Sequence, residues 1–166
     1  MTKITPKSPS DSHITLAQIM GPQESNNHGN VHGGILMKLC DEAGALAAVK
    51  HARQPCVTVA VDRMSFNAPV RLGELVTFEA QVTWVGRTSI EVEVIVCAER
   101  VITGEITHTN TAHFLYVALD SVNGRPVEVP DLRLETEQEK RKYAAAQHRQ
   151  DVRLELRRKE QEERNP

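Results

Sequence analysis

Ile35–Arg53 reads ILMKLCDEAGALAAVKHAR, and this stretch decides the fold. It holds no proline, and Ile35, Leu39, Leu46 and Val49 recur at helical spacing, with Leu36, Cys40, Ala43 and Ala47 beside them. The pattern predicts one helix of about five turns, closed by Pro55. Its second half is small and Ala-rich. Gly44 inside it costs roughly 1 kcal/mol relative to Ala, a cost that a close-packed neighbour explains.

Downstream the hydrophobic period drops to two. Val57, Val59 and Val61 alternate with Thr58, Ala60 and Asp62. Val76, Phe78, Ala80, Val82 and Trp84 share one face, as do Ile90, Val92, Val94 and Val96, and a last run holds Ala112, Phe114, Tyr116 and Ala118. Turns fall at Arg71-Leu72-Gly73, Gly86-Arg87 and Thr103-Gly104. For Trp84 to share a face with Ile90, the turn at Gly86-Arg87 needs a three-residue loop or a bulge. Upstream, Ile14–Met20 reads as one more strand. One long helix followed by antiparallel strands predicts an α+β fold, a sheet wrapped round the helix with an edge or face left to cover.

Three segments follow: a polar, mobile lead-in over 1–13, one domain over 14–130, and a charged tail over 131–166 that reads as an exposed helix fraying at its end. The alternative for the tail is a helix docked on a neighbouring subunit. Aromatics are only 4% of the chain, so aliphatic and Ala packing must build the core. A formal net charge of −2 gives no support for nucleic-acid binding. The opening MTKITPKSPSDSH is neither a signal peptide nor a membrane span. Cys40, Cys56 and Cys97 form no CxxC pair and no disulfide framework, which fits a reducing cytoplasm.

The stretch densest in chemistry is Asn26–Gly34, NNHGNVHGG, running into the helix. Gly29, Gly33 and Gly34 let the backbone approach a ligand closely. The unpaired amides of a helix N-terminus can stabilise an oxyanion on a carbonyl under attack, although a Gly-rich turn with a cap would look the same. Asp41 lies about two turns into the helix among apolar neighbours. Burial raises a carboxylate's proton affinity and suits a general base, whereas an Asp on the wet side of the helix would be unremarkable. Glu42 points about 100° away, so the two carboxylates do not face each other. His28 and His32 have metal-like spacing, but glycines intervene and no Cys or acidic partner completes a zinc set. Arg63, Arg71 and Arg87 lie near strand ends or turns, where each can hold a phosphate or simply stay solvated.

Together NNHGNVHGG and Lys38–Gly44 (KLCDEAG) closely resemble the acyl-CoA hydrolases of the hotdog superfamily, nearest the cytosolic brain-type group and its bacterial relatives. VTVAVDRMSFNAP (57–69), GRTS (86–89) and TGEI (103–106) resemble them too, and the likeness covers about Ile14–Val129. It implies a hotdog fold whose domains pair edge to edge as a homodimer, in some relatives as trimers of dimers (hexamers). The sites lie at the interface and act on acyl-CoA without metal or other cofactor. By position, Asn26 of one subunit and Asp41 of the other carry the chemistry. Asp41 acts as general base or nucleophile, and Asn26 positions the water or thioester. Asn30 is the rival for the Asn role, and His32 a second supporting residue. Gly33 and Gly34 amides polarise the carbonyl. On this resemblance, Arg63 and the turn Gly86, Arg87, Thr88 and Ser89 are candidates for holding coenzyme A, and the acyl chain is expected along Ala43, Ala47 and Ala48. A hotdog dehydratase would instead need His32 together with Asp41. A non-catalytic acyl-CoA sensor would normally carry a DNA-binding segment, for which the stretch before Ile14 is too short.

Overall fold

The computed structural model describes residues 4–62 and 64–164. Strand β1 (Ile14–Ile19) precedes helix α1 (Gly33–Ala52). Then come β2 (Cys56–Val61), β3 (Ser65–Phe66), β4 (Leu75–Val85), β5 (Ser89–Arg100), β6 (Glu105–Ala118) and helix α2 (Glu137–Arg164). The strands form one antiparallel sheet in the order β1-β4-β5-β6-β2, with β3 also on β6. Helix α1 lies along one face of this sheet, the hotdog arrangement that the resemblance implies.

Leu36, Leu39, Cys40, Ala43, Ala47 and Ala48 of α1 are buried against Val76, Phe78, Ala80, Val92, Val94, Phe114 and Tyr116 of the sheet. Small helix residues let the sheet approach closely, as the aromatic-poor composition requires. Leu46 and Val49, expected inward, are exposed on the opposite side of α1. The helix begins on His32, whose Nδ1 accepts the Gly34 N–H at 2.9 Å, and ends on Arg53 in the left-handed region at φ 56°.

Three one-residue bulges disturb the sheet, leaving Val59, Thr83 and Thr109 unpaired. The bulge at Thr83 and the three-residue loop Gly86–Thr88 are both present, but their effect on Trp84 is the reverse of the expected one. Val82 pairs with Val92 and Val85 with Ile90, so the extra residue turns Trp84 opposite Glu91 and onto the outer face. There Trp84 packs with Leu115 and Ala146, and its Nε1–H donates to Gln147 Oε1 at 2.7 Å.

That contact corrects the reading of the tail. The first half of α2 docks on the outer face of its own sheet instead of standing in solvent. Ala146 is fully buried, and Lys142, Arg149 and Arg153 pair with Glu93, Glu91 and Asp62 at 2.5, 2.7 and 2.6 Å. Glu91, 1% exposed, also accepts from Thr83 Oγ1 at 3.0 Å, so its buried charge is met on two sides. Beyond Arg153 the helix is exposed. The described part of the lead-in, residues 4–13, is likewise more ordered than expected. Pro9–Ser12 form a 3-10 turn against α1, and the Lys7 ammonium donates to the His51 carbonyl at 2.5 Å.

Candidate active site

The loop before α1 is pinned at several points. Asn26 N–H donates to the Asn30 carbonyl at 2.7 Å, Val31 N–H to Val70 at 2.9 Å and His32 N–H to Glu24 at 2.8 Å. Gly29 sits at φ 77°, a backbone that side chains other than glycine rarely adopt. Asn26 Oδ1 accepts the His28 and Asn30 amides at 2.8 and 3.2 Å. Its Nδ2 keeps only a long contact, 3.5 Å, to the Val31 carbonyl. Asn26, Asn30, Gly33, Leu36 and Phe66 line one pocket of about 340 Å³. Of the two glycine amides read as oxyanion donors, that of Gly34 is already taken by His32. The Gly33 amide has no acceptor among the described residues. The cap engages Nδ1 of the exposed His32 ring.

Asp41 does not line that pocket. It lies eight residues beyond Gly33 on α1, about 12 Å along the axis. Two hydroxyls that the sequence did not single out hold it. Thr58 Oγ1 of β2 donates to Asp41 Oδ1 at 2.7 Å, and the Tyr116 hydroxyl of β6 lies 3.0 Å from the Asp41 carbonyl and 3.2 Å from Oδ1. In the single chain Asp41 is half-buried, not enclosed. Thr58 and Tyr116 are directly paired across β2 and β6, a register that strand periodicity alone does not reveal.

The Gly86–Ser89 turn is elsewhere. The Thr88 carbonyl accepts from Ala118 N–H, whereas Phe66 at the pocket pairs with Asn110. Eight residues of β6 separate these points, about 26 Å. Arg87 is exposed, and Arg63 lies outside the described residues. Among the described residues no three His, Cys, Asp or Glu cluster as a metal set. No helix among the described residues is long and apolar enough to cross a membrane.

The fold and this loop-to-helix site define a hotdog thioesterase. Residues 28–111 match the thioesterase superfamily model. An uncharacterized acyl-CoA thioester hydrolase of Bacillus subtilis is 39% identical over 129 residues, 78% of this chain and 74% of that protein. The cytosolic acyl coenzyme A thioester hydrolase of Homo sapiens is 36% identical over 140 residues, 83% of this chain and 37% of that one. Among solved structures, the acyl-CoA hydrolase of Staphylococcus aureus in complex with butyryl coenzyme A and coenzyme A superposes with a TM-score of 0.86 at 31% identity, covering 94% of each chain. Alanine variants of that enzyme, one each at an aspartate, an asparagine and a threonine, are also similar. An apo-hexameric acyl-CoA thioesterase gives 0.88 at 34% identity, covering 92% of this chain and 97% of the other. The chain belongs to the thioesterase superfamily and, within it, to the hotdog acyl-CoA hydrolases.

Proposed function

We propose that this chain hydrolyses acyl-CoA to the free acid and coenzyme A at two symmetric sites, each shared between the protomers of a homodimer. The observation that carries this reading is the separation of Asn26 and Gly33 from Asp41 within one protomer, together with the state of β2. This strand ends the sheet with one side of its backbone unpaired among the described residues. Its Val57, Val59 and Val61, the apolar members of the alternating run, are 44, 45 and 45% exposed. An apolar open edge calls for a partner. A second copy added along β2 covers the valines, and Thr58 on that strand brings Asp41 to the seam. The two-fold then sets each Asp41 against the partner's Asn26 pocket.

In that site the Gly33 N–H polarises the thioester carbonyl. Asn26 Nδ2 orients the water or the thioester, and Asp41 either takes the proton of the attacking water or attacks directly, forming an anhydride that water then cleaves to the free acid. The coenzyme A thiolate leaves and is protonated. Carboxylate, amides and water suffice, with no metal or other cofactor. The turn at Gly86, Arg87, Thr88 and Ser89, too far from its own pocket, serves the coenzyme A moiety of another protomer's site, with Arg63 as a further phosphate contact. The aspartate, asparagine and threonine replaced in the Staphylococcus aureus enzyme are of the same three types as Asp41, Asn26 and Thr58, which supports this division of labour. The hexameric relative supports assembly of the dimers into a trimer of dimers. Free cysteines and the cytosolic human relative support a cytoplasmic site of action.

The test is release of free thiol from a panel of acyl-CoA esters with Asp41→Asn as control. Turnover that collapses in the variant supports the reading. Tight acyl-CoA binding without turnover on any ester would replace it with a sensor.

A further inference from the structure

We infer that Tyr116 is a positioning residue that decides which oxygen of Asp41 reacts: with Thr58 it holds Oδ1 and so presents Oδ2 to the thioester. The inference rests on the reading of Asp41 as base or nucleophile. The two hydroxyls converge on one oxygen, Thr58 at 2.7 Å and Tyr116 at 3.2 Å. Among the described residues Asp41 Oδ2 has no hydrogen-bond partner. Thr58 and Tyr116 stand opposite each other in the β2–β6 ladder, so the sheet register itself sets their convergence.

Tyr116 adds something Thr58 does not. Its hydroxyl also lies 3.0 Å from the Asp41 main-chain carbonyl, tying the carboxylate's rotamer to the helix backbone. It reaches that position only because residue 44, one turn on, is glycine. A Cβ there would lie well inside contact distance of the hydroxyl and 3.2 Å from Cζ. The helix-weakening glycine is therefore the opening through which the phenol reaches its acceptor. The ring is fully buried and stacks near-parallel on Phe114, with centroids 6.2 Å apart. Burial and the nearby Asp41 charge push the phenol's ionisation upward, so it stays a neutral donor at working pH.

The experiment measures kcat, KM and the pH–rate profile of Tyr116→Phe, Gly44→Ala, the double variant and Asp41→Asn on one good acyl-CoA ester, with melting temperatures recorded. Removing the hydroxyl should lower kcat about ten- to a hundredfold and leave KM within about twofold. The acid limb should move to higher pH, because a carboxylate that loses a donor holds its proton longer. Gly44→Ala should move the acid limb the same way, and the double variant should be no worse than Tyr116→Phe. A Tyr116→Phe enzyme with the parent kcat and acid limb, beside an inactive Asp41→Asn, overturns the inference alone. Loss of kcat with an unmoved acid limb and a fallen melting temperature also overturns it, by showing a purely structural role. Full turnover by Asp41→Asn overturns the underlying reading of Asp41 instead.

Discussion

Asp41 is half-buried in the single chain, its Oδ1 held by two hydroxyls and its Oδ2 without a hydrogen-bond partner among the described residues. Replacement by Ala should lower kcat about 10²–10⁴-fold, measured as thiol release. Asn26 and Asn30 both line the pocket, but Asn26 alone anchors the loop through Oδ1. Asn26→Ala should therefore cost far more kcat than Asn30→Ala, and the opposite ranking would exchange their roles. Arg87→Ala should raise KM for acyl-CoA but not for an acyl-pantetheine that lacks the nucleotide. Asp41 and the glycine loop were visible in the sequence because each breaks a local pattern, a charge on an apolar helix and three glycines at its start. Thr58 and Tyr116 break none. Each fits its strand's alternation, and their meeting at Asp41 depends on a pairing between distant strands.

Helix α2 is held to the sheet by side chains that look solvated in the sequence. Lys142, Ala146, Arg149 and Arg153 follow at intervals of four, three and four, one helical stripe. That stripe was the available signal, but only the acidic sheet face beneath gives it meaning. Arg149→Ala leaves buried Glu91 short of its nearest cation and should cost about 3 kcal/mol in thermal or urea unfolding. Adding Glu91→Gln should recover part of it. Glu93 supplies a pH dependence. Burial opposes its charge, yet hydrogen bonds from His113 and Lys142 outweigh this and hold its carboxyl at about 2, below the ordinary 4.5. Its contribution to stability is therefore complete above about pH 4.5 and is lost as pH falls towards 2. Glu93→Gln should flatten that part of the stability–pH curve. Trp84 shows why element-level reading went wrong. The bulge at Thr83 adds one residue, and a period-two pattern inverts with each such insertion.

At the scale of the whole molecule, the central helix, the strands and the antiparallel sheet were legible because periodicity is local. The valines of β2 do not share one face, because the bulge at Val59 sets Val57 opposite Val117 and Val61 opposite Phe114. Their alternation marks them for burial, and within one protomer nothing described covers them. The proposed homodimer follows from one arrangement: Asn26 and Gly33 lie at one place and Asp41 at another, with an exposed apolar edge strand beside the latter. The most direct measurement mixes two inactive variants, Asn26→Ala and Asp41→Ala, in equal amounts under conditions of confirmed subunit exchange. If each site draws Asn26 from one protomer and Asp41 from the other, half the dimers are mixed and each mixed dimer regains one intact site, so about a quarter of the parent activity should return. No recovery, with mixed dimers demonstrably present, would contradict the shared site.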